Sequence, residues 1–94
     1  MTTGTLTRAD RMREQLQASL APMELEIIDD SHLHAGHAGA RDGRGHYTVR
    51  IVAAQFSGLR PLQRHQLVYK ALAEMMQTDI HALAIVALAP TELR

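Results

Sequence analysis

The sequence predicts an α+β fold: a single domain of order α-β-β-α-β, with a three-stranded mixed sheet and its helices packed on one face. Three observations predict it. Met23, Leu25 and Ile27, and later Tyr47, Val49, Ile51 and Ala53, alternate with other residues at period two, the pattern of half-buried strands. Leu67, Val68, Ala71, Leu72, Met75 and Met76 recur at helical spacing, a stripe that must pack on the sheet. A strand, helix, strand run closes the chain, which favours a parallel, right-handed crossover between the second and third strands. With 94 residues the chain suffices for one core and not for two.

Taken in order, residues 1–5 are small and polar and are expected to fray. Thr7 is placed to cap a helix, with Asp10 three residues on and Met12, Leu16 and Leu20 forming one apolar stripe; Pro22 stops it. The first strand puts Glu24 and Glu26 on an open face and ends at Asp29 and Asp30. Residues 30–46 hold Gly36, Gly39, Gly43 and Gly45 without hydrophobic periodicity, and read as a long His/Gly-rich loop expected to order only with a partner. Loops of this length inside a small domain are usually functional or disordered. In the second strand Arg50 falls opposite Glu24 or Glu26, which pairs the first two strands antiparallel.

After a turn around Phe56, Pro61 suits the first position of the second helix, and Thr78-Asp79 ends the helical pattern. Leu83, Ile85 and Ala87 alternate with Ala82, Ala84 and Val86, a third strand apolar on both faces and so expected to be interior or covered on both sides. Residues 90–93 are expected to add a last helical turn.

Composition narrows the chemistry. The chain has no cysteine, which excludes a disulfide, a catalytic thiol and a thiolate metal site of its own. It has six histidines, four of them between His32 and His46. Ten basic and ten acidic residues give zero net charge, removing the general attraction for phosphate backbones. The longest apolar run, residues 82–90, is about half of what spans a bilayer, and no charged start precedes an apolar stretch, so a cytoplasmic protein without a membrane partner is expected. No nucleophile triad, paired carboxylate motif or phosphate-binding glycine loop stands out, and the chain is read as a non-enzyme.

The run Asp30-Ser31-His32-Leu33-His34-Ala35-Gly36-His37, then His46-Tyr47, Phe56-x-Gly58, Arg64-His65-x-x-Val68, Leu72-Ala73-Glu74 and Ile80-His81-Ala82-Leu83 closely resembles the BolA family, from about Arg8 to the C-terminus. The resemblance implies a domain related to the type II KH fold. It also implies partnership with monothiol glutaredoxins around a bridging [2Fe-2S] cluster that includes glutathione, with one imidazole from the start of the last strand and a second ligand from the loop between the first two strands. The matching positions are His81 and a loop histidine. Family members have also been described as transcriptional regulators.

Histidine can replace cysteine on one iron of such a cluster, as in Rieske centres. Having only imidazoles to give, this chain needs its partner and glutathione for every thiolate. Neutral imidazole should also raise the cluster potential and make ligation pH-sensitive. Without the resemblance, a histidine entering a strand, as His81 does, is more often structural; with it, His81 is the expected ligand. For the loop ligand, His46 directly precedes a strand and has a restricted position, whereas Gly36 and Gly39 flank His37 and let its backbone adapt. His37 is therefore the first choice and His34 the second. The loop histidines can equally be solvated, or hold adventitious Zn²⁺ or Ni²⁺ through His32, His34 and His37.

DNA is the alternative partner. KH domains clamp nucleic acid with a GXXG turn between helices. Here Gly36-His37-Ala38-Gly39 lies between strands, and the inter-helix turn Ser57-Gly58-Leu59-Arg60 has one glycine. Arg60, Arg64, His65 and Lys70 form the candidate partner or nucleic-acid surface on the second helix. Self-association is left open.

Overall fold

The structure, a computed structural model, describes residues 6–31 and 44–93. Thr7 starts helix α1 (Arg8–Leu20) by reciprocal capping: its hydroxyl accepts the Asp10 backbone N–H at 3.0 Å, and the Asp10 carboxylate accepts the Thr7 N–H at 3.1 Å. The helix ends at Ala21, which takes a left-handed conformation with φ 43° and returns its N–H to the Gln17 carbonyl at 3.1 Å. Strand β1 (Glu24–Asp29) pairs antiparallel with β2 (Gly45–Val52), setting Glu26 opposite Arg50. The Arg50 guanidinium reaches the diagonal neighbour Glu24 at 2.9 Å, on the open face as the alternation requires.

A 3-10 turn, Ala54–Phe56, drops the Phe56 ring into the core, and Gly58 turns the chain with φ 78°. Then follow α2 (Pro61–Ala71), α3 (Ala73–Thr78), β3 (Ile80–Leu88) and a closing 3-10 turn, Pro90–Glu92. The single helix expected from the apolar stripe is two, because the chain bends at Leu72, with φ −106° and ψ 17°. Its N–H is shared between the Val68 and Tyr69 carbonyls, and its side chain is fully buried.

The sheet order is β1-β2-β3, with β2 and β3 parallel, so β2 is central. Helices cover one face. Met12 and Leu16 from α1, Val68 from α2, Leu72 at the bend and Met75 from α3 close over Tyr47, Val49 and Ile51 of β2. The predicted order, the mixed sheet and the parallel crossover are all present.

The third strand departs from expectation. It is an edge strand, and among the described residues nothing covers its outer face, with Val86 46% exposed. Alanine at 82 and 84 leaves little apolar area in water, which is why an all-apolar strand needs no second layer there. The edge itself is guarded by Arg64, and this corrects the surface role expected for that residue. Arg64 is 8% exposed. Its guanidinium donates to the Leu59 carbonyl at 2.9 Å and the Ala87 carbonyl at 3.1 Å, and grips Glu92 with both terminal nitrogens, at 2.6 and 3.0 Å. Glu92 in turn accepts the Ala89 N–H at 2.8 Å. A charged clasp thus covers the last polar groups of an otherwise uncharged edge, a usual defence against strand addition.

Candidate functional site

Because β2 and β3 run parallel, they start at the same end of the sheet, and each carries a histidine in its second position, His46 and His81. Gly45 pairs with Ile80, but His46 pairs with Ala82, so His81 is an extra residue in β3, a β-bulge. In an unbroken strand His81 would share the core face with Leu83. With the bulge, Ile80 turns into the core while His81 and Ala82 both stay exposed. The His46 and His81 ring centroids come to 5.2 Å, tilted by 48°.

Sequence reasoning set His46 aside as the last residue of the loop; it lies inside β2. Its place is fixed by the end of β1. The Ser31 hydroxyl accepts the His46 N–H at 3.0 Å, and the His46 carbonyl accepts the Asp30 N–H at 2.8 Å. Asp29 accepts the Ser31 N–H at 2.9 Å, and the Thr48 hydroxyl donates to Asp30 at 2.6 Å. The adjacent Asp pair, read as a strand end, is therefore the bracket that holds the start of β2. Asp30, His46, Thr48, Ala82 and Ala84 line a shallow depression on the open face. Under it lies the Tyr47 ring, whose phenol burial, then the Asp29 charge, pushes above its usual value.

The other side of His81 is equally fixed. The Gly45 N–H donates to the Asp79 carbonyl at 2.8 Å. The Asp79 carboxylate accepts from the Thr78 hydroxyl at 2.6 Å and pairs with Arg8 and Arg11 of α1. The Thr78 hydrogen bond, then the Arg11 and Arg8 guanidinium groups, hold it below the usual carboxylate range. Arg44, just before β2, sets Nη2 3.4 Å from His81 Nδ1 and Nη1 3.5 Å from the Met76 carbonyl.

Chemically, the arrangement presents an accessible imidazole on a rigid strand, backed by a second. Among the described residues no group of three or more His, Cys, Asp or Glu could hold a metal ion. What these residues can offer a metal is part of a coordination shell, to be completed from elsewhere. His34 and His37, the loop ligands expected from sequence, lie outside the described residues, as does His32. Of the expected partner surface, Arg60 and Lys70 are exposed, His65 is half-buried and Arg64 is withdrawn. Arg60 sits at the start of α2 and Lys70 near its end, roughly 15 Å along the helix, so the two make no compact basic patch.

Comparison with known proteins bears on the family and the fold. Residues 16–92 match the BolA-like protein family. The chain is 49% identical over 88 residues to "Protein BOLA1, chloroplastic" of Arabidopsis thaliana, covering 90% of this chain and 55% of that protein. It is 42% identical over 92 residues to "SufE-like protein 1, chloroplastic/mitochondrial" of the same plant, covering 93% of this chain and 25% of the relative. It thus spans about half or less of the length of these relatives. "DNA-binding transcriptional regulator BolA" of Escherichia coli (strain K12) is 40% identical over 76 residues, covering 81% of this chain and 70% of the relative. The solved structure of BolA1 from Arabidopsis thaliana superposes with a TM-score of 0.82 at 42% identity, covering 96% of this chain and all of that one. With sequence, topology and strand order in agreement along nearly the whole chain, the protein belongs to the BolA family.

Proposed function

We propose that this chain is a non-enzymatic adaptor that docks on a monothiol glutaredoxin and contributes imidazole ligands to a shared, glutathione-containing [2Fe-2S] cluster, in iron-sulfur trafficking or iron and redox signalling. The observation that carries the reading is His81: an exposed imidazole re-aimed by a bulge at a rigid strand end, in a chain without cysteine. The donor set fits a cluster only as a half-share. Imidazole can serve one iron, and the thiolates come from the partner cysteine and glutathione. Bound there, the cluster supplies one-electron chemistry and a transferable iron-sulfur unit; the chain's part is to hold His81 in place through the bulge, the Gly45 to Asp79 bond and the packed His46 ring. His37, or else His34, is proposed as the second ligand.

The test is to purify the heterodimer with the host's monothiol glutaredoxin and glutathione, and compare visible absorption and circular dichroism for wild type, His81→Ala and His37→Ala. A coloured complex whose spectrum changes with His81→Ala is expected. An unchanged spectrum would remove His81 as a ligand.

A second reading, a DNA-binding regulator, is favoured by the name of the Escherichia coli relative, a DNA-binding transcriptional regulator. With Arg64 committed to Glu92, it must rest on Arg60 and Lys70. It expects a specific complex formed by the protein alone, weakening steeply with salt and lowered in an Arg60→Ala plus Lys70→Ala double variant.

A further inference from the structure

Arginine is an unambiguous hydrogen-bond partner: its guanidinium has only donors and keeps its charge. Its Nη2 lies 3.4 Å from His81 Nδ1, a placement that directs an arginine N–H at the Nδ1 lone pair in the Nε2–H tautomer. Arg44 is not there by accident of a loop. Its neighbour Gly45 is tied to the Asp79 carbonyl at 2.8 Å, two residues before His81. Gly45 also fits where a side chain would not, since a Cβ would lie 2.6 Å from Tyr47 Cε2 and 2.8 Å from Ser31 Oγ. The second arm of the guanidinium faces the Met76 carbonyl near the C-terminal end of α3, where helix carbonyls attract cations.

We propose that Arg44 determines which metal groups His81 accepts: it holds the imidazole lone pair in the metal-free protein, and selects for a metal group already neutralised by thiolates over a free divalent cation. The proposal rests on the reading of His81 as a ligand. Ligation at Nδ1 replaces the arginine N–H directly. Ligation at Nε2 requires the ring proton to pass through water from Nε2 to Nδ1, where it meets the arginine N–H. In both cases one hydrogen bond breaks, one coordinate bond forms, no net proton is released, and Arg44 withdraws. A bare Zn²⁺ then sits beside a displaced but still nearby positive charge. An oxidised [2Fe-2S] core bound by a partner thiolate and a glutathione thiolate carries no net charge, and so meets no such repulsion.

The experiment is a double-variant cycle on the isolated full chain, with Zn²⁺ as the probe: wild type, Arg44→Ala, His81→Ala and both together, titrated by calorimetry at neutral pH. Repulsion by one charge a few ångström away predicts about tenfold tighter Zn²⁺ binding in Arg44→Ala. The gain should vanish when His81 is also alanine, which separates the effect from zinc held by the other histidines. In parallel, ¹⁵N NMR of His81 should show the Nε2–H tautomer in wild type and a moved Nδ1 resonance in Arg44→Ala, and less Zn²⁺ should suffice to bleach the Arg44→Ala heterodimer than the wild-type one. Equal Zn²⁺ affinities for wild type and Arg44→Ala, or a gain that survives the loss of His81, would overturn the proposal. An Arg44 to His81 coupling seen with Zn²⁺, alongside a heterodimer spectrum indifferent to His81→Ala, would instead overturn the cluster-ligand reading on which it stands.

Discussion

Gly45 is where the fold and the site meet, and Gly45→Ala is the sharpest test of that meeting. Its backbone N–H fixes β2 to Asp79, its pairing with Ile80 is the last regular step before the bulge, and its missing side chain makes room for Tyr47 and Ser31. An added Cβ lies 2.6 Å from Tyr47 Cε2, 2.8 Å from Tyr47 Oη and 2.8 Å from Ser31 Oγ, against 3.4 Å for the near limit of ordinary contact. The Tyr47 ring is 4% exposed and cannot swing away without opening the core. Overpacking of this kind costs about 1–3 kcal/mol. Ser31 can move, but only by giving up the His46 N–H, about another 1 kcal/mol. The stiffer unfolded chain returns about 0.4–1 kcal/mol. The net is a loss of about 2 kcal/mol. For a domain of this size that lowers the melting temperature by about 8–16 °C, read by far-ultraviolet circular dichroism. Ser31→Ala serves as the control, because it removes the hydrogen bond without the clash and should cost about 1 kcal/mol. Gly45→Ala melting within about 3 °C of wild type, or no lower than Ser31→Ala, would refute the close-packing argument.

Other perturbations follow from the same geometry. Ala21→Gly should stabilise by about 0.5–1 kcal/mol, since it relieves a left-handed alanine at φ 43° while loosening the unfolded chain, and a melting temperature at or below wild type would contradict this. Glu92, which the Arg64 guanidinium and then the Ala89 N–H hold down to about 2 from an ordinary 4.5, stabilises the fold fully above about pH 4.5 and progressively less as pH falls toward 2. Denaturant midpoints measured across that window should fall more steeply for wild type than for Glu92→Gln, with salt reducing the difference because the carboxylate is partly exposed. Arg64→Ala should lower the melting temperature and promote association through the uncovered end of β3, seen by light scattering; a variant that stays monomeric and equally stable would show the clasp to be dispensable.

The sequence carried the fold further than the site. Period-two alternation located β1 and β2, the Thr7 and Asp10 spacing located the start of α1, and Pro61 that of α2, because each rests on a local rule that tertiary packing did not override. The break at Leu72 was hidden, since an apolar stripe reads the same through a bend. Arg64 looked like a surface charge because i, i+4 spacing with Arg60 says nothing of Glu92, twenty-eight residues later and reached only through the fold. His46 had a signal that went unused. Once the second and third strands are paired in parallel, the first residues of both must be neighbours, so a histidine at the start of each is a pair. What could not be read was the bulge, since nothing in Ile80-His81-Ala82 marks one residue as extra.

That bulge decides what the site can do. An imidazole directed into the core would have been one more buried polar group in search of a hydrogen bond, and the chain would offer a metal nothing from β3. Turned outward, His81 is followed on the open face by Ala82 and Ala84, so a bulky partner can approach without meeting large side chains at those two positions. The same smallness leaves β3 acceptable as an edge strand without a second helical layer. A covered face and an accessible ligand are incompatible demands on one strand, and small residues beyond the bulge, with Arg64 and Glu92 closing its far end, let β3 serve as structural edge and ligand platform at once.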